Sequence, residues 1–246
     1  MLAIVRFILM TLALVFICIV SILFCLLRPF HRNNVYVTAK YLGKIPKILG
    51  VDIEVRMPDT VKAIDLAVYI GNHQNSYDLF TMSNAVRQNT VSVGKKSLKW
   101  IPFFGQMYWL TGNILIDRKN TSKAMDTIGI TANKIKDKKL SIWLFPEGTR
   151  SRGRGLLPLK TGAFRTAISA EVPIIPVCAS NQEGTIKLNR WNNGRIIIEF
   201  LEPIYIEKNS QDSLRHTANM AHSLMKAKIA ELSSEALIHQ NSKDNR

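Results

Sequence analysis

An α/β domain with a largely parallel sheet flanked by helices is the fold class that the sequence predicts. Strand-like and helix-like segments alternate beyond about residue 50, the pattern of successive βα units. Two apolar runs, LAVYIG (66–71) and LSIWLF (140–145), are continuous rather than alternating, as strands buried on both faces are. A third observation sets the N-terminus apart: from Phe7 to Leu27 no residue is charged.

That uncharged run is long enough to cross a bilayer core as one helix, which takes about 20 residues. It exceeds the apolar stretch of a cleaved signal peptide, and no small-x-small site follows Leu27. No lipid-attachment box surrounds Cys18 or Cys25. A retained membrane segment is the expectation, either spanning the bilayer or entering one leaflet. Arg6 stands alone before the run, whereas Arg28, Arg32, Lys40, Lys44 and Lys47 follow it. The positive-inside rule then places the body of the chain in the cytoplasm. The stretch VYVTAKYLGKIPKILG (35–50) mixes apolar and basic residues. It reads as an interfacial amphipathic helix with lysines toward anionic headgroups, or as a basic linker. Residues 1–50 are thus expected to form a membrane-embedded and interfacial helical segment, and 51–240 a catalytic domain.

The remaining elements follow in order. VDIEVR (51–56) has strand periodicity and 66–71 is a buried strand. A helix opens over Ser76–Arg87. TVSVG (90–94) is a strand. SLKWIPFFGQMYWL (97–110) is a helix broken by Pro102 and Gly105. NILID (113–117) is a strand, Thr121–Lys136 a helix, 140–145 a buried strand and Thr161–Glu171 a helix. PIIPVCA (173–179) and RIIIEFLEP (195–203) are strands. An amphipathic helix closes the chain over Gln211–Ser233, and NSKDNR reads as a frayed tail.

The formal charge of +15 attracts something negative: nucleic acid, anionic lipid or a phosphorylated substrate. The apolar segment turns the choice toward the last two, and no nucleic-acid partner is expected. Two of the three cysteines lie in the apolar run, so there is no disulfide framework, in keeping with a reducing compartment. Cys178, in a strand-like run, reads as a small buried residue.

Ligands of open parallel sheets collect at the carboxyl ends of strands. Three polar clusters fall there: GNHQNSYD (71–78), IDRKN (116–120) and PEGTRSRGRG (146–155). In the first, His73 can act as a general base near neutral pH. Asp78 can hold its Nδ1–H and leave Nε2 free, the logic of a serine-protease triad without the serine. The same spacing also suits an exposed loop histidine followed by a helix-first aspartate. Ser76 lies in no G-x-S-x-G elbow, so a nucleophile brought by the substrate is the simpler reading. In the third cluster, glycines with Arg150, Arg152 and Arg154 form either a phosphate cradle or a solvated basic turn. There Glu147 orients an arginine or meets a substrate hydroxyl. Arg118 adds a cation from the second cluster, or pairs with Asp117. The basic and aromatic residues from Lys95 to Trp109 suit a membrane-facing surface, an acyl tunnel or a core.

Weaker patterns count against other chemistries. Ser92–Lys95 matches S-x-x-K and Lys160–Gly162 matches K-T-G, but no S-D-N accompanies them. His216 and His222 are on different faces of a helix, and no Cys/His cluster suggests a metal.

Taken in order, NHQNSYD, GNILIDR, FPEGTR and VPIIPV resemble the four motifs of the bacterial 1-acyl-sn-glycerol-3-phosphate acyltransferases, also called lysophosphatidic acid acyltransferases. The resemblance covers about residues 66–180. The stretches GKKSLKWIPFFGQMYWLTGNILIDR and SIWLFPEGTRSRGRGLLPLKTGAF extend it beyond the motifs. It implies a glycerolipid-acyltransferase fold and transfer of an acyl group from acyl-CoA or acyl-carrier protein to the sn-2 hydroxyl of lysophosphatidic acid, giving phosphatidic acid. His73 would be the base and Asp78 its orienter. Arg118, Glu147, Gly148, Thr149 and Arg150 would hold the glycerol phosphate. Val172–Val177 would shape the acyl site. No cofactor or metal is implied. A sister acyltransferase acting on glycerol 3-phosphate or another lysophospholipid shares these motifs and is the alternative.

Overall fold

The computed structural model describes residues 1–116, 121–206 and 211–244. Helix α1 (Leu2–Leu27) and helix α2 (Asn34–Leu42) are followed by a 3-10 turn at Ile45–Leu49. The body runs β1 (Val51–Arg56), α3 (Asp59–Lys62), β2 (Val68–Gly71), α4 (Asp78–Thr81), β3 (Thr90–Lys95), α5 (Phe104–Leu110) and β4 (Ile114–Ile116). It continues through α6 (Thr121–Lys138), β5 (Ser141–Leu144), α7 (Gly162–Ala170), β6 (Ile174–Ala179), β7 (Gly194–Phe200) and α8 (Gln211–Asp244).

The described strands form one seven-stranded sheet in the order β1-β7-β6-β2-β5-β3-β4. Only the β6–β7 pairing is antiparallel, so β1 and β7 run against the other five strands. The largely parallel sheet expected from the sequence is what forms. Side chains alternate across it with period two. Val68 and Ile70 of β2 enter one core with Ile142, Phe164, Ala167 and Met225. Ala67 and Tyr69 enter the other with Trp143, Ile175, Val177 and Ile196. α6, α7 and α8 cover the first face. Cys178 is fully buried there, and burial pushes its thiol up to about 12.

Several elements depart from the expectation. The helix expected over Ser76–Arg87 is α4 followed by a 3-10 turn, Met82–Ala85. Side chains compete for its backbone: Ser83 Oγ donates to Leu79 O at 2.6 Å and Asn84 Nδ2 to Phe80 O at 3.2 Å. Pro102 does interrupt the 97–110 segment, but Gly105 lies inside α5. A Cβ at Gly105 would stand 2.3 Å from Lys99 O, so this glycine permits close packing rather than ending a helix. α8 continues beyond Ser233 to Asp244, and Asn241–Asp244 are helical instead of frayed. Leu232 and Ala236 are buried and Glu235 holds the Arg56 guanidinium at 2.8 and 2.5 Å, which explains the extension.

α1 is apolar and long enough to cross a membrane, yet both of its ends are tied to the body. Near the N-terminus the buried Arg6 donates to the carbonyls of Leu188 (3.2 Å), Arg190 and Trp191 (2.7 Å). Beyond the other end, Phe30 N donates to Leu110 O at 3.0 Å and its ring meets Trp109 edge-on at 5.0 Å. Met10, Leu14 and Ile17 pack on Leu42, Ile45 and Phe80 between them. The opposite faces leave Phe7, Leu12, Phe16 and Leu23 exposed.

Candidate active site

β2 sits between β5 and β6, with all three parallel. Their carboxyl ends therefore present three loops side by side: 72–77, 145–161 and 180–193. This is the position where an open sheet binds ligands. The first two loops are stitched together by backbone. Ser151 N donates to His73 O at 2.8 Å and Arg152 N to Gln74 O at 2.9 Å.

His73 Nδ1 lies 2.7 Å from Asp78 Oδ2. The same oxygen accepts the amides of Gln74 (2.6 Å) and Asn75 (3.1 Å). The sequence folds this way because Asp78 opens α4 and the preceding loop turns its amides inward; Asn75 Oδ1 accepts Tyr77 N at 2.9 Å to close that turn. Oδ2 thus faces donors on every side and accepts from each of them. It fixes Nδ1 of His73 as the protonated nitrogen. Nε2 has no hydrogen-bond partner among the described residues and the side chain is 20% exposed. The ring is stacked on Phe145, with centroids 4.2 Å apart and planes inclined by 17°. Orientation and tautomer are both set.

Glu147 is buried, and it meets neither an arginine nor solvent. Its Oε1 accepts His73 N at 2.6 Å and its Oε2 accepts Leu157 N at 2.9 Å. Burial raises its pKa, against the two amide bonds that lower it. The residue ties the histidine loop to the glycine–arginine loop. Gly148 has φ +72°, a conformation that favours glycine, and the Lys160 ammonium lies against it, 2.8 Å from where a Cβ would stand. Thr149 and Arg150 are exposed beside it. The Arg154 guanidinium instead braces its own loop through Ser151 O (2.8 Å) and Arg150 O (3.1 Å). Arg118 lies outside the described residues.

An apolar cavity of about 120 Å³ opens beside Asp78 and runs between α2, α4 and α5. Met82, Val91, Met107 and Phe145 line it, and Ser92, Tyr108 and Asn113 lie at polar positions in its wall. The aromatic 97–110 stretch is divided: Phe104 and Tyr108 line this cavity, whereas Trp100, Phe103 and Trp109 are exposed. Val172–Val177, expected to shape an acyl site, lie outside the cavity lining. Most of them fill the two cores as part of β6.

The sequence reading missed Phe145, Lys160 and Gln182. Phe145 opens the FPEGTR motif but was given no role, although its place beside His73 was within reach of pattern. Lys160 appeared in the K-T-G match and in the stretch SIWLFPEGTRSRGRGLLPLKTGAF, without a role of its own. Gln182 follows the last motif in a loop with no local signal.

Sheet, loops and dyad together describe an α/β acyltransferase, and comparison with known proteins assigns the chain to the same class. A family model described as "Acyltransferase" matches residues 52–180. The chain is 48% identical to the 1-acyl-sn-glycerol-3-phosphate acyltransferase of Haemophilus influenzae, over 96% of this chain and 98% of that protein. It is 49% identical to the Escherichia coli protein of the same name, over 96% of each. The crystal structure of the 1-acyl-sn-glycerophosphate acyltransferase from Thermotoga maritima superposes with a TM-score of 0.68 at 24% identity, covering 94% of this chain and 97% of that one; this likeness supports the fold. The chain belongs to the acyltransferase family.

Proposed function

We propose that this enzyme transfers an acyl group from a thioester donor, acyl-CoA or acyl-carrier protein, to the sn-2 hydroxyl of 1-acyl-sn-glycerol 3-phosphate. The observation that carries the mechanism is the 2.7 Å His73–Asp78 contact, which leaves Nε2 without a hydrogen-bond partner among the described residues while Asp78 also lines the apolar cavity. The near-identical length and 48% identity to enzymes named for this acceptor support the substrate.

His73 Nε2 takes the proton of the acceptor hydroxyl as its oxygen attacks the thioester carbonyl. The Asp78 carboxylate stabilises the imidazolium that results. Collapse of the tetrahedral intermediate breaks the C–S bond, and the imidazolium returns the proton to the departing thiolate. Atoms and charge balance without a metal. Arg150 would meet the acceptor phosphate, with Lys160 behind Gly148 as a second cation; Arg118, which the sequence adds to this set, lies outside the described residues. Gly148 and Thr149 shape that loop; Glu147 serves the phosphate site by holding it against the histidine loop.

α1 rests in the plane of one leaflet in this reading. A helix whose two ends are both bonded to the body cannot carry one end across a bilayer. Arg6 serves as a clamp and carries no topological signal. The surroundings suit an anionic interface: no acidic residue occurs in 1–51 or 79–116, which supply α1, α2, β3 and α5. Lys40 stacks on Tyr36 (4.5 Å), Lys44 on Tyr41 (5.3 Å) and Lys99 on Trp100 (4.4 Å), the amphipathic pairing of a headgroup layer. Residues 1–50 form the membrane-docking unit and 51–240 the catalytic domain, with the active site facing its lipid supply from the cytoplasmic side of the inner membrane.

Acceptor profiling tests the proposal. With labelled acyl-CoA, product is expected from lysophosphatidic acid and little from glycerol 3-phosphate or lysophosphatidylcholine. Preferred use of either of those would assign the enzyme to a sister activity.

A further inference from the structure

We propose that Gln182 is a positioning residue of the His73–Asp78 pair, holding the Asp78 carboxylate in the rotation that aims Oδ2 at the histidine. The inference rests on the reading of His73 as the base.

Asp78 Oδ2 is surrounded by His73 Nδ1 and two backbone amides. Its second oxygen, Oδ1, receives Gln182 Nε2 at 3.1 Å. Asp78 is 3% exposed and Gln182 1%, so water does not compete for this contact. A carboxylate accepts and cannot donate; the amide must therefore turn its NH2 toward Asp78 and its oxygen away. That oxygen lies 3.0 Å from Thr81 Oγ1. The backbone of Gln182 is fixed as well, its N–H donating to Gln74 Oε1 at 2.8 Å. Gln74 in turn binds Ser180 O at 2.9 Å. The loop after β6 thus reaches the dyad through one buried amide, from a residue 104 positions away in sequence.

Two effects follow. Together with the Gln74 and Asn75 amides on Oδ2, the Gln182 amide on Oδ1 resists turning of the carboxylate about its Cβ–Cγ bond, keeping the imidazole in its reactive orientation. It also draws negative charge toward Oδ1 and away from His73. Without it, Asp78 stabilises the imidazolium more strongly, and His73 holds its proton to higher pH. The acid limb of the rate profile then moves to higher pH.

The test is the pH dependence of kcat for acyl transfer to lysophosphatidate by wild type, Gln182→Met and Thr81→Val, with His73→Ala alongside. Gln182→Met is expected to lower kcat about tenfold, leave KM for the acceptor within about twofold, and raise the midpoint of the acid limb by about half a pH unit. Thr81→Val, which frees the amide to turn, is expected to move the limb the same way by less. Wild-type limbs in both variants overturn the inference, as does a fall in kcat that only tracks loss of folded protein in thermal unfolding. If Gln182→Met does not fold, the limb of Thr81→Val decides. An active His73→Ala would instead overturn the underlying reading of the base.

Discussion

Asp78→Asn separates what the carboxylate does by charge from what it does by geometry. In a triad without further support, this change costs about 10⁴-fold because the histidine adopts the wrong tautomer. Here the surroundings preserve the tautomer. The asparagine oxygen is held in the Oδ2 position by the Gln74 and Asn75 amides, at 2.6 and 3.1 Å in the native site, and it still accepts Nδ1–H. The new NH2 faces Gln182, whose amide turns over to offer Oε1, with Nε2 then donating to Thr81 Oγ1. Only the charge is lost. With charge centres about 4 Å apart and an effective dielectric near 20, the carboxylate–imidazolium attraction is about 4 kcal/mol. A transition state with partial to complete proton transfer feels about 2–4 kcal/mol of it, so kcat should fall about 30- to 1,000-fold. The assay is kcat for acyl transfer to lysophosphatidate, with KM expected to stay within about threefold. A loss under about fivefold in folded protein would mean that the charge is idle. A loss of about 10⁴ or more would mean that the amide cage does not hold the tautomer.

Arg150→Ala should raise the KM for the phosphorylated acceptor by about 10- to 100-fold, the worth of one charge-assisted bond, with kcat little changed; an equal effect on acceptors without phosphate would contradict the assignment. Burial raises the Glu147 pKa above its unfolded value, so its stability contribution is present below pH 4.5 and is lost as pH rises through the raised value. Glu147→Gln lacks that titration, so the Tm difference, variant minus wild type, should climb from pH 4.5 upward; a pH-independent difference would refute it. Serine at Phe7, Leu12 and Phe16 together should reduce vesicle partitioning at least about 100-fold, from about 1–2 kcal/mol per side chain, while the body stays folded. Undiminished partitioning in a flotation assay would remove α1 from the docking surface.

Much of the fold was legible because its signals are local. Buried parallel strands such as 68–71 and 141–144 announce themselves as unbroken apolar runs, and a helix such as α7 by its period. The dyad was legible for the same reason: His73 and Asp78 are close in sequence, and the turn between them needs only one loop. What was not legible depends on distant partners. Hydropathy registers α1 as apolar but not the carbonyls at 188–191 that clamp Arg6. Gly105 looks like a helix breaker until the Lys99 carbonyl is seen against it. Glu147 looks like a ligand for arginine or substrate until its two oxygens are found on the amides of His73 and Leu157. Gln182 carries no pattern at all, because its role exists only once β6 lies beside β2.

The most direct test of the account compares wild type with His73→Ala in acyl transfer from labelled acyl-CoA to lysophosphatidic acid. The variant should retain fold and membrane binding. The account predicts phosphatidic acid from the wild type and turnover reduced to background in the variant. Equal product from both proteins would return His73 to an ordinary loop residue and contradict the mechanism.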